Sequence, residues 1–310
     1  MPLQRKDRES LATSSGDNFA NNNCKVVYLK NGSRVAVAEY GAPEGIPVIF
    51  CHGWPSSRTM AELTDDAARK LRIRMISPDR PGIRDSSFQA GRKLLDWPPL
   101  LGELCDQLGL DRFYLLAISG GAPYAFAAAW MMPRRVRGVA VVSGAPPIAE
   151  LSDNSGLWKL YRWMLHCYRR YPRFSRSAFR LARPFLSLRP PPPGQRLLLK
   201  FLQPCDADVL RDARAFNACF ESQRQAWRAS AIGVLADAEI YAQPWGFALE
   251  AINVPVRLWH GKKDRSFSFR LAEEIERRLP NCSAHYIEDT GHYSLPIRHM
   301  DEILSDLIQS

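Results

Sequence analysis

The chain has 310 residues, 46% in the AVILMFWYC set and 24% charged, an ordinary globular composition that excludes collagen-like, coiled-coil and wholly disordered classes. No apolar run approaches the roughly 18 to 20 residues that cross a bilayer, so no membrane span is expected. The charge sum, 42 − 32 = +10, favours anionic partners without naming one.

Residues 1–23 are polar, lack the apolar stretch of a secretory signal, and are expected to be disordered. The cysteines number seven and form no C-x-x-C, which reads as reduced, mostly buried thiols in a cytoplasmic protein rather than a disulfide framework. From Cys24 the pattern becomes β-rich. CKVVYLK and RVAVAEY flank Asn31-Gly32, a strong hairpin signal. PVIFCH (47–52), IRMISPD (73–79), FYLLAIS (113–119), VRGVAVVSG (136–144), VPVRLWHG (254–261) and SAHYIED (283–289) read as strands buried on both faces. Helical periods lie between and after them: Leu101, Leu104, Cys105 and Leu108 before Gly109; Leu271, Ile275 and Leu279 before Pro280; and Ile297, Met300, Leu304 and Leu307 as one last helix. This alternation predicts an α/β fold with a mostly parallel central sheet and helices on both faces. It stops between about Pro146 and Glu250, where the pattern is helical and rich in arginine and tryptophan. The expected division is a catalytic domain over 24–146 and 251–310, with a helical cap over 147–250.

The chemistry centres on Leu115-Leu116-Ala117-Ile118-Ser119-Gly120-Gly121-Ala122. A strand running into Ser119 with a helix starting just beyond forces a tight turn that projects the hydroxyl, and Ala117, Gly120 and Gly121 give the crowded backbone room. In the usual G-x-S-x-G pattern a glycine stands where this chain has Ala117. A serine hydroxyl needs a base, normally a histidine oriented by a carboxylate. Asp264, past one strand, and His292, past the next, occur in the order serine, acid, histidine at the same sheet edge as Ser119. His285, His299 and His166 fit worse, being mid-strand, inside the last helix and in the cap. His260 reads as structural. After the third strand, His52-Gly53-Trp54-Pro55 places the Trp54 backbone N–H to form an oxyanion hole with that of Gly120, while His52 and Gly53 brace the loop.

HGWP, PDRPGIRDSS, AISGGAPYA, HGKKD and GHYS resemble the motifs of the capped α/β-hydrolase superfamily, over roughly residues 24 to 310. In similar proteins the stretch Pro78-Asp79-Arg80-Pro81-Gly82 forms a turn after the fourth strand, and its usual second glycine is Arg84 here. Dehalogenases and epoxide hydrolases of the superfamily carry an aspartate nucleophile, and Ser119 argues against both. The resemblance implies a serine hydrolase using Ser119, His292 and Asp264 through an acyl-enzyme, without metal or cofactor, on a small-molecule substrate such as a hydrophobic acyl ester. An aminopeptidase, a carbon–carbon bond hydrolase and a non-catalytic binding scaffold remain open alternatives. No nucleic-acid motif is present, and the oligomeric state is not specified.

Every charged residue between Lys159 and Lys200 is basic. Leu157, Tyr161, Met164, Leu165 and Tyr168 form a helical apolar stripe, continued beyond Pro172 by Phe174, Ala178, Leu181 and Phe185. Arg173, Arg176, Arg180 and Arg183 share the opposite face, expected to be the outer one. Two readings follow. Either the stripe packs on the catalytic domain and the arginines are merely solvated, or the basic face makes weak contact with an anionic membrane surface.

Overall fold

A computed structural model describes residues 24–310; the segment expected to be disordered lies outside the described residues. The first strands are β1 (Cys24–Tyr28) and β2 (Arg34–Gly41), antiparallel neighbours joined by the Asn31-Gly32 turn. Gly32 has φ +79° and donates its N–H to the Leu29 carbonyl at 2.8 Å, which only a residue tolerant of the left-handed region does cheaply. Then come β3 (Ile46–Cys51), α1 (Asp65–Lys70), β4 (Ile73–Pro78), α2 (Trp97–Gln107), β5 (Phe113–Ile118), α3 (Ala122–Met131) and β6 (Val136–Val142). The insertion holds α4 (Lys159–Arg170), α5 (Pro172–Leu186), α6 (Pro192–Lys200), α7 (Pro204–Val209), α8 (Ala213–Phe216), α9 (Ser222–Arg228) and α10 (Ile232–Tyr241). The chain ends with β7 (Val256–Gly261), α11 (Phe269–Arg278), β8 (Cys282–Ile287), α12 (Ser294–Arg298) and α13 (Met300–Ile308).

The strands form one eight-stranded sheet in the order β1-β2-β4-β3-β5-β6-β7-β8, parallel from β4 through β8. Side chains alternate across the pleat. Thus Phe113, Leu115 and Ala117 of β5 enter the apolar layer shared with Leu101 and Ala272, whereas Tyr114, Leu116 and Ile118 enter the layer shared with Ala68 and Leu304. Both faces are therefore covered, which is why the central strands read as unbroken apolar runs. Burying each such side chain stabilises the fold by about 1.5 to 3 kcal/mol.

Two expectations need correction. β8 is an edge strand and is only half-buried, because it has a neighbour on one side alone. The last helix is two helices, broken at His299, which stands at the junction with φ −118° and ψ 19°, a conformation off the helical path. The seven cysteines are free; Cys51, Cys105 and Cys219 are buried, Cys24 is exposed and the other three are intermediate. Arg84 adopts φ +45°, so the turn after β4 keeps a glycine-like backbone despite carrying a side chain. Its guanidinium is tied to Gln225 of the insertion.

Candidate active site

β5 ends at Ile118 and α3 begins at Ala122. The reversal falls on Ser119, at φ +54°, a conformation that costs a residue with a Cβ about 1 to 3 kcal/mol. The two glycines that follow it leave little room for a side chain. A Cβ on Gly121 would sit 1.9 Å from the Cys51 carbonyl oxygen, and one on Gly120 would sit 2.7 Å from the Tyr241 hydroxyl and 3.1 Å from the Trp54 nitrogen. Ala117 is fully buried in the apolar layer of the sheet, so a methyl group is accommodated at that position.

The turns after β7 and β8 bring Asp264 and His292 to this point. Ser119 Oγ lies 3.0 Å from His292 Nε2, and His292 Nδ1 lies 2.8 Å from Asp264 Oδ2. Asp264 Oδ1 accepts the backbone N–H groups of Ser266 at 2.7 Å and Phe267 at 3.1 Å, which fixes the carboxylate plane. With the Nδ1 proton directed to Asp264, neutral His292 presents its Nε2 lone pair to the serine hydroxyl. Burial pushes Asp264 up, but the His292 charge and hydrogen bond outweigh it, and its pKa falls below the ordinary value. Burial pushes His292 down; Asp264, then the Asp206 carboxylate, outweigh it and hold its pKa above the ordinary value. His260 is buried beside this pair, Nε2 bonded to the Phe267 carbonyl oxygen at 2.9 Å, and burial lowers its pKa.

Trp54 and Gly120 adjoin, each with the carbonyl of its own peptide unit engaged. Arg80 Nη2 donates to the Gly53 carbonyl at 2.8 Å, in the unit that carries the Trp54 N–H. The Ala145 N–H donates to the Ser119 carbonyl at 2.9 Å, in the unit that carries the Gly120 N–H. A hydrogen bond to a peptide oxygen polarises the N–H at the other end of the unit. His52 is buried, with Nδ1 3.0 Å from the Gly53 carbonyl oxygen; burial and Arg80 hold it neutral. It stands outside the Ser119–His292–Asp264 chain, within the loop next to Gly53.

Sequence reasoning missed the side chains that hold these loops. Arg80, quoted only as part of a turn, is buried; its Nη1 donates to the His52 carbonyl at 2.6 Å and its Nε to Asp237 Oδ2 at 2.8 Å. Asp237 Oδ1 also accepts the Tyr124 hydroxyl at 2.7 Å and pairs with Arg92. Burial raises the Asp237 pKa, but the two guanidinium groups bring it down to about 2. Val234, Asp237 and Tyr241 lie on one face of α10: the Val234 carbonyl accepts Trp54 Nε1–H at 2.9 Å, and the Tyr241 hydroxyl donates to the Gly120 carbonyl at 2.7 Å. Asp206 of α7 grips the histidine loop. Its Oδ1 accepts the N–H groups of Tyr293 at 3.1 Å and Ser294 at 2.8 Å and the Ser294 hydroxyl at 2.7 Å; its Oδ2 accepts the His292 N–H at 3.1 Å. A Cβ on Gly291 would sit 2.5 Å from Asp206 Oδ2, so a side chain there would push the carboxylate off the loop it holds.

Ser119 opens into a cavity of about 140 Å³ between the sheet edge and the insertion, lined overwhelmingly by apolar side chains that include Trp54, Leu165, Phe179, Leu235 and Phe267. A dry cavity of about 150 Å³ holds a benzene-sized group. Arg176 and Glu239 also line it and pair with each other at 2.6 Å. Arg176 was expected on the outer face of the cap; it turns to the cavity because Glu239 of α10 stands opposite it. Arg183 likewise turns inward, donating to the Trp227 carbonyl at 3.0 Å at the end of α9. Among the described residues no group of three or more histidine, cysteine or acidic side chains is placed to hold a metal ion.

The chain belongs to the alpha/beta hydrolase family, whose model matches residues 48–306. Haloalkane dehalogenase 2 of Mycobacterium bovis is 36% identical over 101 residues, which is 31% of this chain and 34% of that protein, so the match spans about a third of the relative's length. Over most of the chain the fold is similar to the esterase EaEST from Exiguobacterium antarcticum, with a TM-score of 0.65, 19% identity, and 92% and 99% of the two chains covered. It is also similar to a bromoperoxidase from Bacillus anthracis, with a TM-score of 0.70, 19% identity, and 93% and 100% covered. At these identities the two structures speak to the fold alone.

Proposed function

We propose that the protein is a serine hydrolase that cleaves carboxylic esters with a small hydrophobic acyl group. The observation that carries this reading is the hydrogen-bonded chain Ser119–His292–Asp264, at 3.0 and 2.8 Å, opening into an apolar cavity. Ser119 Oγ attacks the ester carbonyl as His292 Nε2 takes its proton. The carbonyl oxygen becomes an oxyanion facing the Trp54 and Gly120 N–H groups, each such donor being worth on the order of 3 to 4 kcal/mol in the transition state. His292 returns the proton to the departing alkoxide, leaving an acyl-enzyme and an alcohol. A water then gives its proton to His292, attacks the acyl carbon, and releases the acid while Ser119 recovers its proton.

The relative named as a dehalogenase suggests attack on a saturated carbon, but a serine there would yield an ether with no carbonyl for water to attack, and turnover would stop at one cycle. The charge content of the cavity favours an ester over the other substrates. An aminopeptidase needs free carboxylates for a substrate ammonium, and a hydrolase of anionic ring-fission products needs free cations. Among the described residues that line it, the one carboxylate, Glu239, and the one guanidinium, Arg176, neutralise each other. The test is a panel of p-nitrophenyl esters of graded acyl length. The expected kcat/KM rises about fourfold per buried methylene, then levels off once the cavity is full. A flat series, or faster cleavage of aminoacyl amides, would reject the ester reading.

A further inference from the structure

The apolar stripe on α5 does not pack on the catalytic domain. Phe174, Leu181 and Phe185 are 66%, 75% and 77% exposed, and Leu188 beyond the helix is 65% exposed. The rotation of α5 is set elsewhere on its surface: Phe179 packs against Trp54 and Trp227 with ring centres 6.3 and 5.8 Å apart, and Arg183 holds the carbonyls ending α9. That leaves the stripe facing solvent, and Leu197 and Phe201 of the α6 region are exposed as well. Isolated exposed apolar side chains are ordinary, whereas a row at helical spacing marks a surface that meets something.

Three observations point to one occupant. All charged residues from Lys159 to Lys200 are basic, so the exposed stripe lies in a segment free of acidic side chains. Arg173 and Arg180 are exposed on the same helix, with stems long enough to reach past the apolar row toward anionic groups. The stripe also runs into the substrate cavity, since Phe174, Ala178 and the 60%-exposed Trp163 line that cavity as well. No helix of the described residues is long and apolar enough to cross a membrane, so contact would be along a surface.

We infer that α4–α6 form a docking face for an anionic lipid surface, with Phe174, Leu181 and Phe185 entering the acyl boundary and the flanking arginines meeting phosphate. The mouth of the cavity then opens on the lipid side. The substrate would be an ester partitioned into the bilayer, its reacting acyl end in the cavity and any longer chain along Trp163 and Phe174. This last step rests on the esterase reading; the docking itself does not.

The test uses Ser119→Ala protein, which cannot turn over lipid, sedimented with vesicles of phosphatidylcholine alone or mixed with phosphatidylglycerol. Binding to the mixed vesicles only, weakening with salt, is expected. Leu181→Ser with Phe185→Ser should weaken it by more than about tenfold, and Arg173→Gln with Arg180→Gln by about fivefold per arginine. In otherwise wild-type protein neither pair should alter cleavage of a short soluble ester. Equal binding to both vesicle types, or none to either, overturns the inference. So does a dimer in sedimentation velocity that Leu181→Ser with Phe185→Ser disperses, because the stripe would then face a second copy. Vesicle binding without any ester cleavage by the wild type would leave the docking face standing and remove the esterase reading.

Discussion

The helices α7–α10 and α4–α6 lie in the same stretch between β6 and β7 but meet the sheet and its loops differently. The former reach the site with buried polar side chains: Asp206 grips the histidine loop, Asp237 anchors Arg80 beneath the His52–Trp54 loop, and Tyr241 bonds the backbone behind Ser119. The latter touch the site through cavity-lining rings and leave Leu181 and Phe185 in solvent. The insertion is therefore more than a cover over the sheet. One half holds the loops that carry the proposed triad, and the other borders the cavity at Ser119.

If that division is right, substitutions should sort by half. The largest losses lie in the triad. Ser119→Ala and His292→Ala should each reduce kcat by 10⁴-fold or more with folding intact by circular dichroism, because the pair acts as a unit. Asp264→Asn should cost about 10⁴-fold by favouring the wrong tautomer. It should also move the kcat/KM–pH midpoint downward, since burial would then lower the His292 pKa with only the Asp206 charge opposing it. In the wild type, kcat/KM should rise with pH and level off above a midpoint higher than the ordinary histidine value of about 6.5.

Next comes the scaffold half. Asp237→Asn removes the charge between two buried guanidinium groups and should destabilise the protein by about 3 to 5 kcal/mol in urea unfolding. Asp206→Ala should lower kcat by about 10²-fold through misplacement of His292. Asp206→Asn keeps an acceptor oxygen, so it should retain more activity yet still lower the pH midpoint, because a negative charge near the imidazolium is lost. A loss of kcat without that shift would make Asp206 a packing residue only.

Much of this was legible in the sequence and some was not, for physical reasons. The central strands announced themselves because both faces of a parallel sheet are buried, as at Phe113–Ile118. Ser119, Asp264 and His292 were visible because each ends or follows a strand at a tight turn. Asp206 and Asp237 were invisible because they act across 86 and 157 residues of chain, and no local period records such a pairing. The amphipathic pattern of α5 is legible in the sequence, but which of its faces packs is not, and the reading in which the stripe packs on the sheet domain does not hold for Leu181 and Phe185. Which face of a helix packs is decided by what stands opposite, here Trp54, Trp227 and the carbonyls ending α9.

The smallest effect sharpens the contrast between the halves. Leu181→Ser with Phe185→Ser should leave unfolding free energy within about 0.5 kcal/mol of wild type, although each removes a large apolar side chain. A loss of several kcal/mol would mean that these side chains are buried and the α5 stripe packs after all.

If Ser119 is a nucleophile activated by His292, it should react covalently with a fluorophosphonate. The reaction forms a bond from Ser119 Oγ to phosphorus and expels fluoride, with the serine proton passing to His292. Peptide mass spectrometry should find one phosphonyl group per chain, on Ser119, absent in Ser119→Ala and formed far more slowly in His292→Ala. No adduct, or an adduct that persists at another residue when Ser119 is alanine, would contradict the account.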